Sequence, residues 1–255
     1  MKIGFFDSGL GGLTVLKTVR ALLPHYDYLY YGDTKNLPYG DKTEEEILTF
    51  TRNAATYLFD HGALIVIFAC NTASAQALRT LQDTMLVGKY HDRKLLGVII
   101  PTVETLIQEQ AQNILLIGTL RTIHSGKYET EMNKITAKVS LASQATPHLV
   151  PYIEIGDMDS AHAKVEKIID EKIGEIDTIV LGCTHYTVLK DFIRGRYPTL
   201  RVVSQDEIIP EKLALYLERH PEIQQRLTTN KTIEIILTGE DHPQCEKIKS
   251  DYFIV

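Results

Sequence analysis

A two-lobed α/β fold is predicted, each lobe a mostly parallel sheet flanked by helices, with the active site in the cleft between the lobes. Apolar strand patterns alternate with helical ones along the 255-residue chain, which is the sign of parallel sheets with crossover helices. Ile65-Val66-Ile67-Phe68-Ala69 and Thr178-Ile179-Val180-Leu181 are continuous apolar runs, as expected of strands covered on both faces. The pattern also starts over after Pro101. Strand-turn-helix units ending in Asp7-Ser8 and Cys70-Asn71-Thr72 have counterparts ending in Gly118-Thr119 and Cys183-Thr184-His185. The first lobe is expected to span 1–97 plus 207–255, and the second 98–206.

In chain order, Lys2 to Phe6 predicts a strand and Leu13 to Leu23 a helix stopped by Pro24. Between them Asp7-Ser8-Gly9-Leu10-Gly11-Gly12 reads equally well as a tight turn or as backbone amides offered to a carboxylate. Its spacing does not fit a dinucleotide fingerprint. Tyr26 to Tyr31 is a strand, Asn36 to Gly40 a turn, and Thr43 with Glu46 a capping box opening a helix to about Asp60. The strand Ala63 to Ala69 delivers Cys70. A helix then runs to Met85, an irregular polar stretch to Lys94, and a strand from Leu95 to Ile100 stopped by Pro101. In the second lobe the spacing predicts helices over 103–111, 122–133, 159–173 and 187–197, and strands over 113–117, 138–143, 178–181 and 201–203. Pro147 to Glu154 reads as a loop. A helix over 207–219, a strand over 232–237 and a closing helix over 242–252 complete the chain.

Composition narrows the function. Apolar residues at 44% support a real core, and net charge −6 without a basic run argues against nucleic acid as the primary ligand. The three cysteines are far apart in sequence, favouring free thiols in a reducing cytoplasm. No apolar run approaches the roughly 18 residues of a membrane span, and Met1-Lys2 enters a strand directly, so neither membrane attachment nor a secretory leader is expected.

Cys70 and Cys183 both fall at the carboxyl ends of parallel strands, where such sheets place ligands. If the lobes are related by a pseudo-twofold axis, the thiols approach one ligand from opposite sides. That suits stereoinversion: one thiolate removes a proton from a carbon and the other thiol returns one to the far face. A free thiol titrates near 8.5, so a basic thiolate requires positive charge, a helix N-terminus or a partner base, the last from His185 or Asp7. Other readings remain open. Cys183 and His185 also fit a cysteine hydrolase, which leaves Cys70-Asn71-Thr72 without a role. A zinc site needs about three or four ligands and no third is evident. A cleft that only binds its ligand is the third option. Taken alone, Glu154 reads as solvated, Tyr39 and Gly40 as turn residues, Thr119 and Thr122 as a helix cap, and Cys245 as a small core residue.

Five motifs in order now carry a resemblance: Phe6-Asp7-Ser8-Gly9-Leu10-Gly11-Gly12, Tyr31-Gly32-Asp33, Pro38-Tyr39-Gly40, Ala69-Cys70-Asn71-Thr72-Ala73-Ser74 and Gly182-Cys183-Thr184-His185-Tyr186. Together they strongly resemble the glutamate racemases of the aspartate/glutamate racemase superfamily, from residue 2 to about 190 and again at Thr238-Gly239. The resemblance implies interconversion of L- and D-glutamate without a cofactor or metal, supplying D-glutamate for peptidoglycan. It implies Cys70 and Cys183 as acid/base residues, poised by Asp7 and His185, with Glu154 near the second thiol. Substrate is then held by Asp7, Ser8, Tyr39, Gly40, Asn71, Thr72, Thr119, Thr122, Thr184 and His185. A homodimer is the implied assembly. Thr187, Ile100, Glu240 and the stretch Ser204-Gln205-Asp206-Glu207 depart from the family's usual residues, and none of these departures removes a catalytic group. Aspartate as substrate is the nearest alternative.

Overall fold

The computed structural model describes residues 1–136 and 138–239. Strand β1 (Lys2–Asp7) is followed by α1 (Gly12–Leu22), β2 (Tyr28–Gly32), α2 (Glu44–Asp60), β3 (Ala63–Phe68), the short helices α3 (Asn71–Gln76) and α4 (Leu78–Met85), and β4 (Lys94–Gly97). Next come α5 (Ile99–Gln108), β5 (Asn113–Gly118), α6 (Leu120–His124), α7 (Lys127–Ile135), β6 (Ser140–Ala145), α8 (Leu149–Glu154), α9 (Met158–Asp170) and β7 (Thr178–Gly182). A 3-10 segment (Thr184–Leu189) leads into α10 (Lys190–Arg196), β8 (Arg201–Val203), α11 (Gln205–Arg219), α12 (Pro221–Gln224) and β9 (Ile233–Leu237). Among the described residues these strands form two sheets, ordered β4-β3-β1-β2-β9 and β6-β5-β7-β8. Every pairing is parallel. No described helix is long and apolar enough to cross a membrane.

The continuous apolar runs have the reason expected of them. Alternate residues of one strand enter different cores: Phe5, Ile65 and Ile67 pack with α1 and with Ile209 and Leu213 of α11. Phe6, Val66 and Phe68 pack on the other face with Leu58 and Phe59 of α2. The second sheet repeats the arrangement, Ile117, Ile179 and Leu181 on one side, Ile114, Leu116 and Val180 on the other. Burial on both faces removes any need for a polar alternation.

Register brings the strand ends level. Asp7 pairs with Gly32, Phe6 with Phe68, and Gly118 with both Ala145 and Gly182. Asp7, Cys70, Thr119 and Cys183 therefore emerge at the carboxyl edges of their sheets. Close approach explains two glycines of the first turn. A Cβ on Gly12 would lie 2.6 Å from Asp7 Cβ, and one on Gly11 would lie 2.5 Å from Thr184 Oγ1 of the opposite lobe.

Several elements differ from the sequence expectation. The strand after Lys94 ends at Gly97, and Ile99, Ile100 and Pro101 open α5, since proline is tolerated in a first turn whose N–H groups lack helical partners. For the same reason Pro151 sits inside α8, where a loop was expected. The helix expected over 122–133 is broken at Gly126, which takes φ 59°. The one expected to run to Met85 breaks at Ala77. Residues 187–189 are 3-10 rather than α-helix. The capping box of Thr43 and Glu46 is present in both directions. The closing helix over 242–252, Glu240 and Cys245 lie outside the described residues.

Asp27 anchors the return of the chain to the first sheet. Its carboxylate accepts from Thr232 N and Oγ1, each at 2.8 Å, and from Asn230 Nδ2 at 2.8 Å. Burial works against the charge, but these donors and Thr228 overcome it and hold the carboxyl below its usual range. A lowered folded-state pKa contributes stability above the unfolded value, and that contribution fades as pH falls through it. Asp27→Ala is therefore expected to lower the urea midpoint at pH 7. The gap from the parent chain should narrow once pH drops below about 4.

Candidate active site

The chemistry gathers in a small cavity between the sheets' carboxyl edges. Its walls include Ser8, Tyr39, Gly40, Cys70, Asn71 and Thr72 from the first lobe, with Thr119, Val150, Cys183, Thr184 and His185 from the second. The space amounts to about 20 Å³, room for roughly one water. A far larger open groove, about 1530 Å³, runs along α5 and α11. There Lys127 and Lys134 pair with Glu131, Arg194 with Glu207, Arg201 with Glu109, and Lys212 with Glu104. The small cavity is the better site because both thiols open into it.

Cys70 caps α3: its Sγ accepts from Ala73 N at 3.4 Å, and its thiol donates to Ser8 Oγ at 3.4 Å. Burial and the nearby Asp7 carboxyl outweigh these two contacts and push the thiol up to about 12. The helix-end position alone does not make Cys70 a thiolate.

Cys183 stands in different company. His185 Nδ1 lies 3.7 Å from its Sγ, and His185 Nε2 lies 2.5 Å from Glu154 Oε1. Burial by itself would strip the imidazole of its extra proton. The sulfur, the Glu154 carboxylate and Asp7 reverse that and hold His185 well above its ordinary value. A doubly protonated ring donates on both sides, which satisfies both neighbours. Glu154, read from sequence alone as solvated, is thus the residue behind the imidazole.

Asp7 is fully buried. Its Oδ1 accepts from Gly9 N at 2.9 Å, its Oδ2 from Thr184 Oγ1 at 3.1 Å, and the Gly12 amide also donates to it. Burial raises its pKa despite His185 and these donors. The glycine-rich turn therefore turns amides onto its own Asp7, so the two readings of that turn resolve toward close packing around an internal carboxyl.

The remaining predicted residues divide in two. Thr72, Thr119 and Thr122 form a triangle of hydroxyls across the lobes, with Oγ1 separations of 2.8, 3.2 and 3.0 Å. Thr122 is part of it without lining the cavity itself. Gly40 packs against Thr119, 3.1 Å separating its would-be Cβ from Thr119 Cβ. Tyr39 donates to Asp33 Oδ2 at 2.7 Å, and Asp33 also accepts from Thr238 Oγ1 at 2.8 Å. Asp33 had no assigned role, although its place in Tyr31-Gly32-Asp33 at a strand end was a usable signal. Asn71 lines the cavity, yet its carboxamide is held by Tyr128 and Gln205. No local pattern marks either of those.

Two free thiols thus face one cavity between the carboxyl edges of two parallel sheets, in a chain whose relatives are isomerases. Residues 14–206 match the family described as Asp/Glu/Hydantoin racemase, and the chain belongs to that family. It is 38% identical over 238 residues to a glutamate racemase of Ruegeria sp. (strain TM1040), covering 88% of this chain and 87% of that one. It is 35% identical to the glutamate racemase of Aquifex aeolicus (strain VF5), each chain covered in full. Among solved structures, the glutamate racemase of Francisella tularensis in complex with D-glutamate superposes with a TM-score of 0.82 at 27% identity, over 93% of this chain and 88% of that one.

Removing the carboxylate behind His185 should show in the imidazole itself. Glu154→Gln is expected to lower the pH at which His185 titrates, followed by its ring C–H signals in NMR. An unchanged titration would mean that Cys183 and Asp7 suffice.

Proposed function

We propose that this protein interconverts L- and D-glutamate by two-thiol proton transfer at Cα, without a cofactor. One observation carries the mechanism: Cys70 and Cys183 line the same cavity from opposite lobes. The substrate follows from the similarity to glutamate racemases at 35–38% identity over most of the chain.

In this reading Cys183, whose sulfur stands 3.7 Å from His185 Nδ1, begins the turnover as the base. Cys70 holds its proton, since burial and Asp7 disfavour its charge. The thiolate takes the α-proton of one enantiomer, and Cys70 delivers its own proton to the opposite face of the planar carbanion. The sulfur roles are then exchanged, and the reverse turnover starts from that state. Hydroxyls of Ser8, Thr72, Thr119 and Thr184, with backbone amides of Gly40, Asn71 and His185, are the donors for the two carboxylates, and Asp7, buried behind the wall, acts on this set through Thr184. Thr122 and Tyr39 support this set through Thr119 and Asp33. The cavity has room for about one water, so glutamate enters only when its walls move apart. The lobe boundaries, 1–97 plus 207–255 and 98–206, belong to the same reading and are supported by the strand membership of the two sheets. So do a homodimer, a cytoplasmic setting and a role in supplying D-glutamate to peptidoglycan.

The test is to incubate the purified chain with L-glutamate or L-aspartate in D2O and follow deuterium at Cα and loss of optical rotation. Glutamate is expected to exchange and racemise. Exchange of aspartate alone would overturn the substrate. Cys70→Ser and Cys183→Ser are each expected to cut turnover by about 10²–10⁴-fold, the usual weight of a general acid or base. A cysteine hydrolase acting through Cys183 and His185 would keep most of its activity after Cys70→Ser.

A further inference from the structure

Beside the thiol pair lies a second polar cluster that the chemistry does not use. The Asn71 carboxamide is 2% exposed, Tyr128 1% and Gln205 2%. Tyr128 OH donates to Asn71 Oδ1 at 2.7 Å, and Asn71 Nδ2 donates to Gln205 Oε1 at 3.2 Å. Gln205 Nε2 reaches back to Tyr128 OH at 3.5 Å, closing a three-membered ring of hydrogen bonds, and Thr102 hydrogen-bonds Tyr128 from outside it. The three members come from three separate parts of the chain. Asn71 is the first residue of α3 behind β3, Tyr128 lies in α7 of the second lobe, and Gln205 is the first residue of α11, where the chain leaves the second sheet.

We infer that Tyr128 and Gln205 are positioning residues for Cys70, acting through Asn71. Cys70 is the cap of the helix that Asn71 begins. Its sulfur keeps its contacts with Ala73 N and Ser8 Oγ only while the first turn of α3 holds its rotation. Both ends of the Asn71 carboxamide are engaged by the ring, so that rotation is set by groups across the lobe boundary. What Asn71 then presents to a ligand is backbone, at a helix start whose amides lack intrahelical partners. Apolar side chains in the same space would pack equally tightly, but would leave the turn free to rotate. A closed buried hydrogen-bond ring specifies one orientation, and deleting one member leaves the others unpaired. The ring joins residues of both lobes, so their contact is part of what holds Cys70 in place.

The inference rests on the two-thiol reading for its kinetic part, whereas thiol reactivity tests it without substrate. Tyr128→Phe and Gln205→Met, each close in shape, are made in the full chain. Iodoacetamide labelling of Cys70 and Cys183 is then timed separately by peptide mass spectrometry, alongside kcat, KM and thermal midpoint. The expected result is a change of at least about threefold in the ratio of Cys70 to Cys183 labelling rates. With it, kcat should fall about tenfold, the size of one lost orienting interaction, while KM moves much less. A merely structural ring predicts a lower midpoint with the labelling ratio unchanged, both thiols speeding up together, and that result overturns the inference. If one variant fails to fold, the other decides. A parent chain that does not turn over glutamate refutes the substrate reading, while the labelling ratio still judges the clamp.

Discussion

Removing a carboxyl, an imidazole and two thiols from water at one spot is the constraint on which the architecture of this site depends. Asp7, Cys70, Cys183 and His185 are all under a tenth exposed, and a carboxyl or an imidazole is costly there without partners. Each therefore comes with its own support. Gly9, Gly12 and Thr184 donate to Asp7, Ser8 and Ala73 contact Cys70, and Glu154 stands behind His185. One of these supports crosses from one lobe to the other, so the polar chemistry of the site also bears on how the lobes meet. It is Thr184 reaching Asp7, and Gly11 leaves the room for it.

The two halves resemble one another in backbone and differ in charge. Each sheet ends in a small residue followed by a cysteine, yet one thiol lies by a buried carboxyl and the other by an imidazole held between sulfur and carboxylate. Burial acts on both sides, but the neighbouring groups pull in opposite directions. Near Cys70, the charge of Asp7 adds to the desolvation penalty. Near Cys183, Glu154 and the sulfur overcome that penalty for His185. The proposed two-thiol reaction needs one acid and one base, and since the reacting atoms are alike it is in their surroundings that the two sulfurs differ.

Much of the fold was legible because parallel strands buried on both faces leave unmistakable apolar runs, as in 65–69 and 178–181. Helix ends were less legible. Pro101 and Pro151 look like stops in sequence, but proline costs little in a first turn, and both lie inside helices. Gly126 and Ala77 interrupt patterns whose periodicity runs on past them. Thr119 and Thr122 read as an ordinary helix cap, and Thr119 does cap α6, where both also meet Thr72. Their meeting as a triangle depends on the distance between lobes, which no local pattern encodes.

The amino-acid sequence alone determined the alternation of strands and helices, the doubling of that pattern and the delivery of Cys70 and Cys183 to strand ends, because these follow from periodicities within short windows. Only the tertiary structure decided which side chains stand between the thiols and their surroundings. Asp33 behind Tyr39, Glu154 behind His185, and Tyr128 with Gln205 around Asn71 meet across 6, 31, 57 and 134 positions of chain. The two separations that end at Asn71 are closed by bringing the two sheets together, and the other two by the folding of a single lobe.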